Sequence, residues 1–429
     1  MQLPTGRHWS LAAPSLETTA AHGVYFHDGT EEEHPVRQPT GSAHPGGDAD
    51  GERSSREARA MARVVVGMSG GVDSSVAAAL LKEQGYDVIG IMLRLWSEPA
   101  VIGDDGVELV AENKCCSLES VNDARRVAAA LDIPFYVINV EQPFQRTIVD
   151  YFYDEYAAGR TPNPCLRCNR HIRFTLLLER ALALGADYLA TGHYVRVDDD
   201  PATGLRRLRQ GVDATKDQSY VLHVLNQHQL RHALFPLGAY TKPEVRAMAA
   251  ERGLPVAAKA ESQEICFVAA NDYRGFMRRY ADATGRAAPQ PGPILDVAGK
   301  QVGEHQGLAY YTIGQRKGLG VAAREPLHVL RLDPSQNAVV VGSAADLARD
   351  TFTVHQTTWT SDTAPSAPFA ARVKLRYKAP LVDATVTPLP DGRAEVHLAA
   401  PARAITPGQA AVFYGGAEGD EALGGGLIE

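Results

Sequence analysis

Short aliphatic runs alternate with helical stretches over residues 63–267. The runs VVV at 64–66 and DVIGIML at 87–93 carry consecutive apolar residues, whereas the stretches between such runs repeat apolar residues at helical spacing. Continuous apolar strands are typical of a parallel sheet that helices cover on both faces. The pattern therefore predicts an α/β fold with a doubly wound parallel sheet.

The pattern changes after about residue 290, where short strands are separated by Gly, Pro and Asp, as in HVLRLDPSQNAVVVG at 328–342. This change predicts a small central domain followed by a C-terminal β-barrel. At roughly 150 residues per domain, a chain of 429 residues has room for two or three domains. We predict domain boundaries at 61–270, 271–345 and 346–429.

Residues 1–60 differ from the rest in being rich in His, Gly, Pro and Ser, with an acidic run at 31–33. Such a segment buries too little apolar surface to offset the entropy of ordering. We predict a disordered N-terminal extension. Met61, directly before the first predicted strand, is a plausible alternative translation start.

Composition narrows the function classes only modestly. The chain has 43 Lys and Arg against 51 Asp and Glu, a net charge of −8, which argues against a uniformly basic surface but not against a local basic patch. No apolar stretch approaches the ~18 residues of a membrane span, and the first residues lack the apolar core of a signal peptide. We predict a cytoplasmic protein without a membrane partner. Without an export signal, its five cysteines favour metal or redox chemistry over permanent disulfides.

The first predicted strand leads into the sequence GMSGGVDSS at 67–75, which opens a helix. Its glycines allow a sharp turn and close backbone approach, and the N–H groups at the helix start offer an anion site. It is not a Walker A loop, because no Gly-Lys-Ser/Thr follows. From the glycines alone, a bare turn with a helix cap is an equal alternative.

Two cysteine segments carry the remaining candidate chemistry. Residues 161–169, TPNPCLRCN, contain two prolines that we expect to delay the next helix until Asn169. Taken alone, the C-x2-C pair suits half a zinc site, a redox pair or chance. Cys266 lies in SQEICF, and its apolar neighbours equally suit a buried structural thiol.

Together these motifs resemble one family, the tRNA-specific 2-thiouridylases (MnmA or TrmU), within the ATP pyrophosphatases that share the SGGVDSS loop (PP-loop). The matching segments occur in order from Met61 onward: GMSGGVDSS, TPNPC-x-x-CN, ATGHY (190–194), KDQSY (216–220), SQEICF, GEHQGLAYYTIGQRKGLG (303–320), KLRYKAP (374–380) and TPGQAAVFY (406–414).

The resemblance implies ATP- and Mg2+-dependent adenylation of C2 of the tRNA wobble uridine, followed by sulfur transfer that yields 2-thiouridine, AMP and pyrophosphate. Cys266 matches the persulfide-carrying cysteine and Cys168 the second catalytic thiol, and the two would end as a disulfide. The resemblance further implies a persulfide sulfur donor protein and substrate tRNAs for Glu, Gln and Lys. Domain 61–270 would then be the catalytic domain and 346–429 the tRNA-binding domain.

The other site residues are carried over by the same resemblance. Those expected to bind the nucleotide are Gly67, Met68, Ser69, Gly70, Gly71, Val72, Asp73, Ser74, Leu93 and Gly192. Those expected to contact the target base are Asn163, Pro164 and Cys165. Those expected to contact tRNA elsewhere are Lys216, Asp217, Gln218, Arg376 and Tyr377.

Cys165 departs from the family pattern, because many members carry Asp at this position. A thiol with a pKa of ~8.5 could still exchange protons, or it could join Cys168 and Cys266 in holding an iron–sulfur cluster. His193 is open between a catalytic base and a structural histidine. Further cationic candidates for the tRNA backbone are Arg167, Arg170, Arg173, Arg206, Arg207, Arg209, Arg274, Arg278, Arg279, Arg316, Lys317 and a set alternating along an expected strand, Arg372, Lys374, Arg376 and Lys378.

Two other functions remain to be distinguished. A different ATP pyrophosphatase, such as an amidotransferase-type synthetase or a lysidine synthase, would not need a persulfide cysteine. A non-catalytic nucleotide-binding regulator would bind ATP without releasing pyrophosphate.

Overall fold

The computed structural model describes residues 62–98, 101–102, 108–109, 117–260, 265–268, 272–403 and 405–429. The predicted disordered extension at 1–60, Met61 and the cysteines at 115 and 116 lie outside these residues. Within the described ranges, no helix is both long and apolar enough to cross a membrane.

The first layer of the structure is a five-stranded parallel sheet with the order β5-β2-β1-β6-β9. Its strands are β1 (Arg63–Gly67), β2 (Asp87–Arg94), β5 (Phe135–Asn139), β6 (Tyr188–Ala190) and β9 (Ala233–Leu234), and the short β3 (Val101–Ile102) and β4 (Glu108–Leu109) pair with each other. Val64 and Val66 belong to one apolar core and Val65 to another, so the sheet is buried on both faces. The predicted doubly wound fold is confirmed.

Helices cover both faces of this sheet. The first two are α1 (Val72–Glu83) and α2 (Leu118–Ala130). Two longer helices contain wide π-helical turns: α3 consists of Glu141–Phe144, Gln145–Val149 and Asp150–Ala157, and α4 of Pro164–Arg167, Cys168–Leu177 and Leu178–Ala183. The remaining helices are α5 (Ser219–Leu222), α6 (Gln227–Arg231), α7 (Lys242–Glu251) and α8 (Tyr273–Thr284).

The strand order reverses between β1 and β6. Successive strands run outward from β1 on one side, to β2 and β5, and from β6 to β9 on the other. Loops that leave the carboxyl ends of the strands at such a point diverge and leave a crevice, which is where ligands bind in open α/β sheets. The loop after β1 and the loop after β6 therefore flank the expected ligand crevice.

The second half of the chain forms two further sheets. The central one has the order β11-β10-β13-β12, from the strands β10 (Gly292–Leu295), β11 (Gln301–His305), β12 (His328–Asp333) and β13 (Ala338–Gly342). The last one closes on itself because its end strands, β14 and β19, also pair. Its strands are β14 (Ala348–Trp359), β15 (Phe369–Lys374), β16 (Val382–Leu389), β17 (Arg393–Arg403), β18 (Ala410–Gly415) and β19 (Glu421–Ile428). The predicted C-terminal β-barrel is confirmed.

A hairpin from the first half of the chain extends the barrel sheet. It consists of β7 (Val195–Asp199) and β8 (Arg206–Gln210), and Arg209 lies opposite Glu421 of β19. Arg209 and Arg196 both form ion pairs with Asp420, at 2.7 and 2.6 Å. Because these groups are mostly shielded from solvent, the network joins the hairpin to the barrel more strongly than a single exposed pair would.

An aromatic cluster fixes the segment that contains Cys266. The ring of Phe267 lies 5.9 Å from that of Phe144, 5.2 Å from that of Phe152 and 5.6 Å from that of Phe276, and Phe267 is fully buried. Edge-to-face packing of this kind adds to the free energy gained by apolar burial. The short segment is thereby held against α3 and α8.

Phe267→Ala should lower the free energy of unfolding by about 3–5 kcal/mol, since it removes a buried ring and leaves a cavity among three others. Equilibrium unfolding in urea measures this change. Phe267→Leu, which refills most of the volume, should cost clearly less. Equal stability of the Ala variant and the wild type would contradict the packing described here.

Candidate nucleotide and cysteine site

The loop after β1 has a backbone shape that only glycine tolerates. Gly70 has a φ of +70°, and a Cβ there would lie 2.2 Å from the carbonyl oxygen of Ser120. Gly71, in extended conformation, precedes α1 and has no side chain with which to cap it. The first N–H groups of α1 therefore point toward the crevice as an anion site.

The serine hydroxyls of the loop hold its curvature. The amide of Ser69 donates to the Ser74 hydroxyl at 3.1 Å, and that hydroxyl donates to the Gly71 carbonyl at 3.3 Å. Ser75 donates to the same carbonyl at 2.8 Å. Gly67 ends β1, and the amide of Met68 donates to Ile91 of β2 at 2.8 Å, so the loop begins in register with the sheet.

Asp73, in the first turn of α1, has two partners from distant parts of the chain. Its carboxylate accepts a hydrogen bond from Lys242 at 2.6 Å and one from the Tyr194 hydroxyl at 2.7 Å. A second lysine, Lys259, donates to the Gly70 carbonyl at 3.2 Å and to Asp123 at 2.5 Å. Sequence reasoning missed both lysines, because nothing in their spacing links them to a loop about 170–190 positions earlier.

The loop after β6 passes directly over the start of α1. A Cβ on Gly192 would lie 2.8 Å from the amide nitrogen of Ser74, so only glycine allows this approach. Leu93 lies half-buried near the carboxyl end of β2, opposite Ile138 of β5. Gly192, Leu93 and the loop after β1 (the predicted phosphate loop, residues 67–75) thus lie at the same edge of the sheet, where the resemblance predicts the nucleotide.

His193 is a buried, neutral side chain. Burial, with a smaller contribution from the Arg173 guanidinium, lowers the pKa of His193 to about 3. Arg173 can only donate, so Nε2 accepts from it at 3.3 Å and Nδ1 donates to the Thr191 hydroxyl at 2.7 Å. A group with this pKa cannot take up a proton near neutral pH, so the structure favours the structural alternative for His193.

The same arginine connects this loop to the cysteine helix. Arg173 also donates to Asn169 at 3.2 Å, and the Asn169 amide donates to the Val221 carbonyl at 2.9 Å. Asn169 directly follows Cys168, and His193 directly follows Gly192. Two hydrogen bonds of Arg173 therefore link Asn169, beside the buried thiol, to His193 in the loop after β6.

The helix that carries the first two site cysteines begins earlier than the prolines suggested. The expectation of no helix before Asn169 is wrong, because α4 starts at Pro164. Proline is tolerated in the first helical turn, where its missing N–H has no partner to lose, and Asn163 caps the helix by accepting from Cys165 and Leu166. As a result Cys165 is exposed on the first turn and Cys168 is buried.

Both cysteine segments pack against α3. Arg167, next to Cys168, donates to the Thr147 carbonyl at 3.2 Å and lies 4.1 Å above the ring of Tyr151. Phe267, next to Cys266, packs on α3 as described above, and the Cys266 side chain is half-buried. One helix thus supports the two residues that the resemblance identifies as the catalytic thiols.

The three cysteines do not form a metal-binding group. In the described part of the chain, no cluster of three or more His, Cys, Asp or Glu side chains could hold a metal ion. Cys165 faces solvent whereas Cys168 faces the core, which separates their environments. The iron–sulfur alternative is therefore not supported.

The segment 216–218 braces the loop after β6 from the other side. Gln218 accepts from the Tyr194 amide at 3.0 Å and donates its own amide to the Tyr194 carbonyl at 3.1 Å. Asp217 is almost fully buried and accepts from the amides of Gly211 and Ser219 at 3.2 and 3.0 Å. Lys216 is half-buried beside them.

The basic set near residue 376 does not lie on one strand. The strand β15 ends at Lys374, which is buried 3.6 Å from Asp217, while Arg376 is exposed in the following turn. The alternating pattern therefore gave a wrong interpretation of this stretch, because a strand cannot continue through the turn. Tyr377 is half-buried, with its ring 6.2 Å from that of Tyr220.

A cleft that is open to solvent lies between the start of α4 and the barrel. Its lining residues are Tyr151, Asn163, Leu166, Arg167, Arg170, His171, His223, Val224, Gln356, Thr358, Gly426 and Leu427. Burial and the neighbouring Arg167 lower the pKa of Arg170, which indicates partly desolvated like charges. By contrast Arg206, Arg207 and Arg209 are paired with Asp199, Asp198 and Asp420.

The barrel also braces the start of the cysteine segment. Gln409 donates to the carbonyls of Thr161 and Pro162 at 3.0 and 3.4 Å, and the Thr161 amide donates to Pro407 at 2.8 Å. The Tyr220 hydroxyl donates to Ala410 at 2.9 Å. Sequence reasoning matched TPGQ as a motif but did not predict this contact.

Comparison with known proteins agrees with this geometry. Three family profiles match in order: "tRNA methyl transferase HUP domain" over 62–270, "tRNA methyl transferase PRC-barrel domain" over 284–343 and "Aminomethyltransferase beta-barrel domain" over 349–428. The tRNA-specific 2-thiouridylase of Roseiflexus castenholzii is 50% identical over 86% of this chain and 99% of its own length. That of Moorella thermoacetica is 52% identical over 85% and 99%.

The chain belongs to the tRNA-specific 2-thiouridylase family. Identity at this level over nearly the full length of the relatives confirms the resemblance seen in the motifs. Members of the family are tRNA sulfurtransferases, and the PP-loop enzymes bind ATP with Mg2+. Among solved structures, an NMN synthetase from Francisella tularensis aligns over 55% of this chain and 87% of its own, at 14% identity and a TM-score of 0.30.

The pKa of His193 leads to a test in solution. The unfolded chain takes up a proton below about pH 6.5 and the folded chain does not, so the free energy of unfolding should fall by ~1.4 kcal/mol per pH unit from about pH 6 toward pH 3. Urea unfolding of the wild type and His193→Gln over this range measures the difference, since the variant should lose this part of the slope. An imidazole NMR titration with a midpoint between about pH 6 and pH 8 would restore His193 as a candidate base.

Proposed function

We propose that this chain converts the wobble uridine of tRNA into 2-thiouridine through adenylation at the phosphate loop and sulfur transfer from Cys266. The observation that carries the proposal is the Gly192-His193-Arg173-Asn169 connection. It joins the loop after β6, which lies against the start of α1, to the residue beside Cys168. ATP-dependent activation and thiol chemistry would then take place in one crevice.

The fit of the loop to ATP and Mg2+ rests on its donors. The N–H groups at the start of α1 suit phosphate oxygens, and the close approach at Gly192 leaves the backbone, not side chains, facing the nucleotide. Asp73 provides the oxygen ligand that Mg2+ prefers, and Mg2+ would neutralise charge on the departing pyrophosphate. Gly67 to Ser74, Leu93 and Gly192 are the proposed nucleotide contacts.

Two thiols supply the electrons that the proposed sulfur transfer requires. The C2 carbonyl oxygen of the uridine attacks the α-phosphorus of ATP, and pyrophosphate leaves. The terminal sulfur of the Cys266 persulfide is delivered to C2 as Cys168 attacks the inner sulfur, so the transferred atom is reduced to sulfide while the thiols are oxidised to a disulfide. AMP leaves with the former carbonyl oxygen, and an external thiol reductant restores the enzyme.

The tRNA would approach over the cleft between α4 and the barrel. Arg167 and Arg170 supply charge there, and Asn163 also lines the cleft. Asn163, Pro164 and the exposed Cys165 are the proposed contacts to the target base. A wobble base must leave its stack to reach a buried thiol, so a charged approach and a pocket are both required. Lys216, Asp217, Gln218, Arg376 and Tyr377 remain proposed tRNA contacts, Asp217 acting through the backbone it orders.

The remaining assignments follow the family. We propose tRNAs for Glu, Gln and Lys as substrates, a persulfide-carrying protein as sulfur donor and a cytoplasmic location. We also propose the boundaries 61–270, 271–345 and 346–429 for the catalytic, central and tRNA-binding domains.

The decisive experiment is mass analysis of nucleosides from unmodified tRNA incubated with the protein, ATP, Mg2+ and a persulfide source. The wild type should form 2-thiouridine at the wobble position, whereas Cys168→Ala and Cys266→Ala should each reduce its formation by about 10³-fold or more. Both variants should still release pyrophosphate, because adenylation precedes the thiol step. Cys115→Ala controls for loss of a thiol as such.

The alternatives predict other outcomes. Pyrophosphate release that is the same in Cys266→Ala and the wild type, with no 2-thiouridine formed by either, would indicate a different ATP pyrophosphatase. Binding of ATP without pyrophosphate release in the presence of tRNA would indicate a regulator. A loaded persulfide with no 2-thiouridine formed would overturn the proposal.

Arg170→Gln should weaken tRNA binding about 3- to 10-fold at ~0.1 M salt and reduce the slope of log Kd against log salt concentration by about 0.7–0.9, since one phosphate contact is lost. Fluorescence anisotropy across a salt series measures both values. Arg180→Gln, an exposed change near the far end of the same helix, is the matched control. An unchanged slope in Arg170→Gln would exclude this cleft as a backbone contact.

A further inference from the structure

Two ammonium groups reach the phosphate loop from outside it, although the loop itself has no lysine. Lys242, the first residue of α7, donates to Asp73 at 2.6 Å, and Lys259 donates to the Gly70 carbonyl at 3.2 Å. Gly70 precedes α1 and Asp73 lies in its first turn. The two lysines therefore flank the part of the loop at which the proposed pyrophosphate would be held.

Their placement is fixed by the surrounding fold. A capping box between Thr241 and Glu244 starts α7 so that Lys242 points toward α1, and the Lys242 side chain is 8% exposed with its ammonium 5.7 Å from the ring centre of Tyr194. Burial of a lysine is costly unless its charge is balanced. Asp73 balances it here, as Asp123 balances Lys259.

The carboxylates near the loop explain why lysines are needed there. Without them, Asp73 and Asp123 would oppose the approach of a polyphosphate, since a helix N-terminus contributes only about half a positive charge. With them, and with Arg126, which also pairs with Asp123, the carboxylates are balanced and the backbone N–H groups face the anion without net repulsion. Lysine is also a compact charge on a flexible stem, able to turn from a carboxylate to a phosphate.

We infer that Lys242 and Lys259 contact the β and γ phosphates of ATP and hold the departing pyrophosphate, in place of the lysine that a Walker A loop carries. This inference rests on the proposed function, in which ATP occupies the loop. The competing explanation is that both lysines only fix the shape of the loop.

Calorimetric affinities for ATP, pyrophosphate and AMP separate the two explanations. If the lysines contact the outer phosphates, Lys242→Gln and Lys259→Gln should each weaken ATP and pyrophosphate binding about tenfold or more and AMP binding less than about twofold. The matched control is Lys82→Gln, at the other end of α1, where the ammonium donates to the Asp132 carbonyl at 2.8 Å. It should leave all three affinities unchanged.

Parallel losses of ATP and AMP affinity, or no loss at all, would overturn the inference. Thermal unfolding identifies any variant that fails to fold, and Lys242→Arg and Lys259→Arg, which keep the charge, should then recover most of the ATP affinity if charge is what matters. These affinities are measured without tRNA. A chain that shows the lysine effect but never forms 2-thiouridine would refute the proposed function alone, and a thiolating chain without the effect would refute only this inference.

Discussion

The site depends on one buried, uncharged imidazole. His193 accepts from Arg173 and donates to Thr191, and it can do both only while it is neutral. Its backbone position fixes Gly192 against the first turn of α1, while Arg173 continues to Asn169 beside Cys168. Protonation would turn the accepted hydrogen bond into repulsion between two cations, so burial, which lowers the pKa of His193, keeps the two halves of the site together.

The two cysteines near this contact differ in burial. Cys168 is buried on a helix that is capped by Asn163 and braced by Gln409 from the barrel. Cys266 is only half-buried, in a short segment held by the ring of Phe267. This difference suits the roles proposed above, in which Cys266 must be loaded with sulfur from outside and Cys168 must not react with solvent oxidants.

The basic side chains fall into two groups, those that form ion pairs within the fold and those that face the cleft or the phosphate loop. The arginines of the β7–β8 hairpin form ion pairs with carboxylates, although their sequence suggested a nucleic-acid contact. Asp198 and Asp199 belong to the hairpin itself, and Asp420 joins it to the barrel. Arg167 and Arg170 line an open cleft instead, and the lysines at 242 and 259 are turned inward to the phosphate loop. Which cations are available to a ligand is decided by the carboxylates that the fold places beside them.

The order of layers and the chemistry of the motifs follow from local features of the chain. Runs such as 64–66 must be buried on both faces, and the glycines at 70 and 71 permit a turn that other residues do not, so these features are local and can be read from the chain. The folded chain was needed to place the start of α4 at Pro164, the end of β15 before Arg376, and Lys242 and Lys259 at the loop. The approach of the two lysines depends on partners far away in sequence. The start of α4 depends on the local Asn163 cap and on Gln409 of the barrel, which binds the segment before it. In each case the free energy is set by which groups the fold brings within a few ångströms.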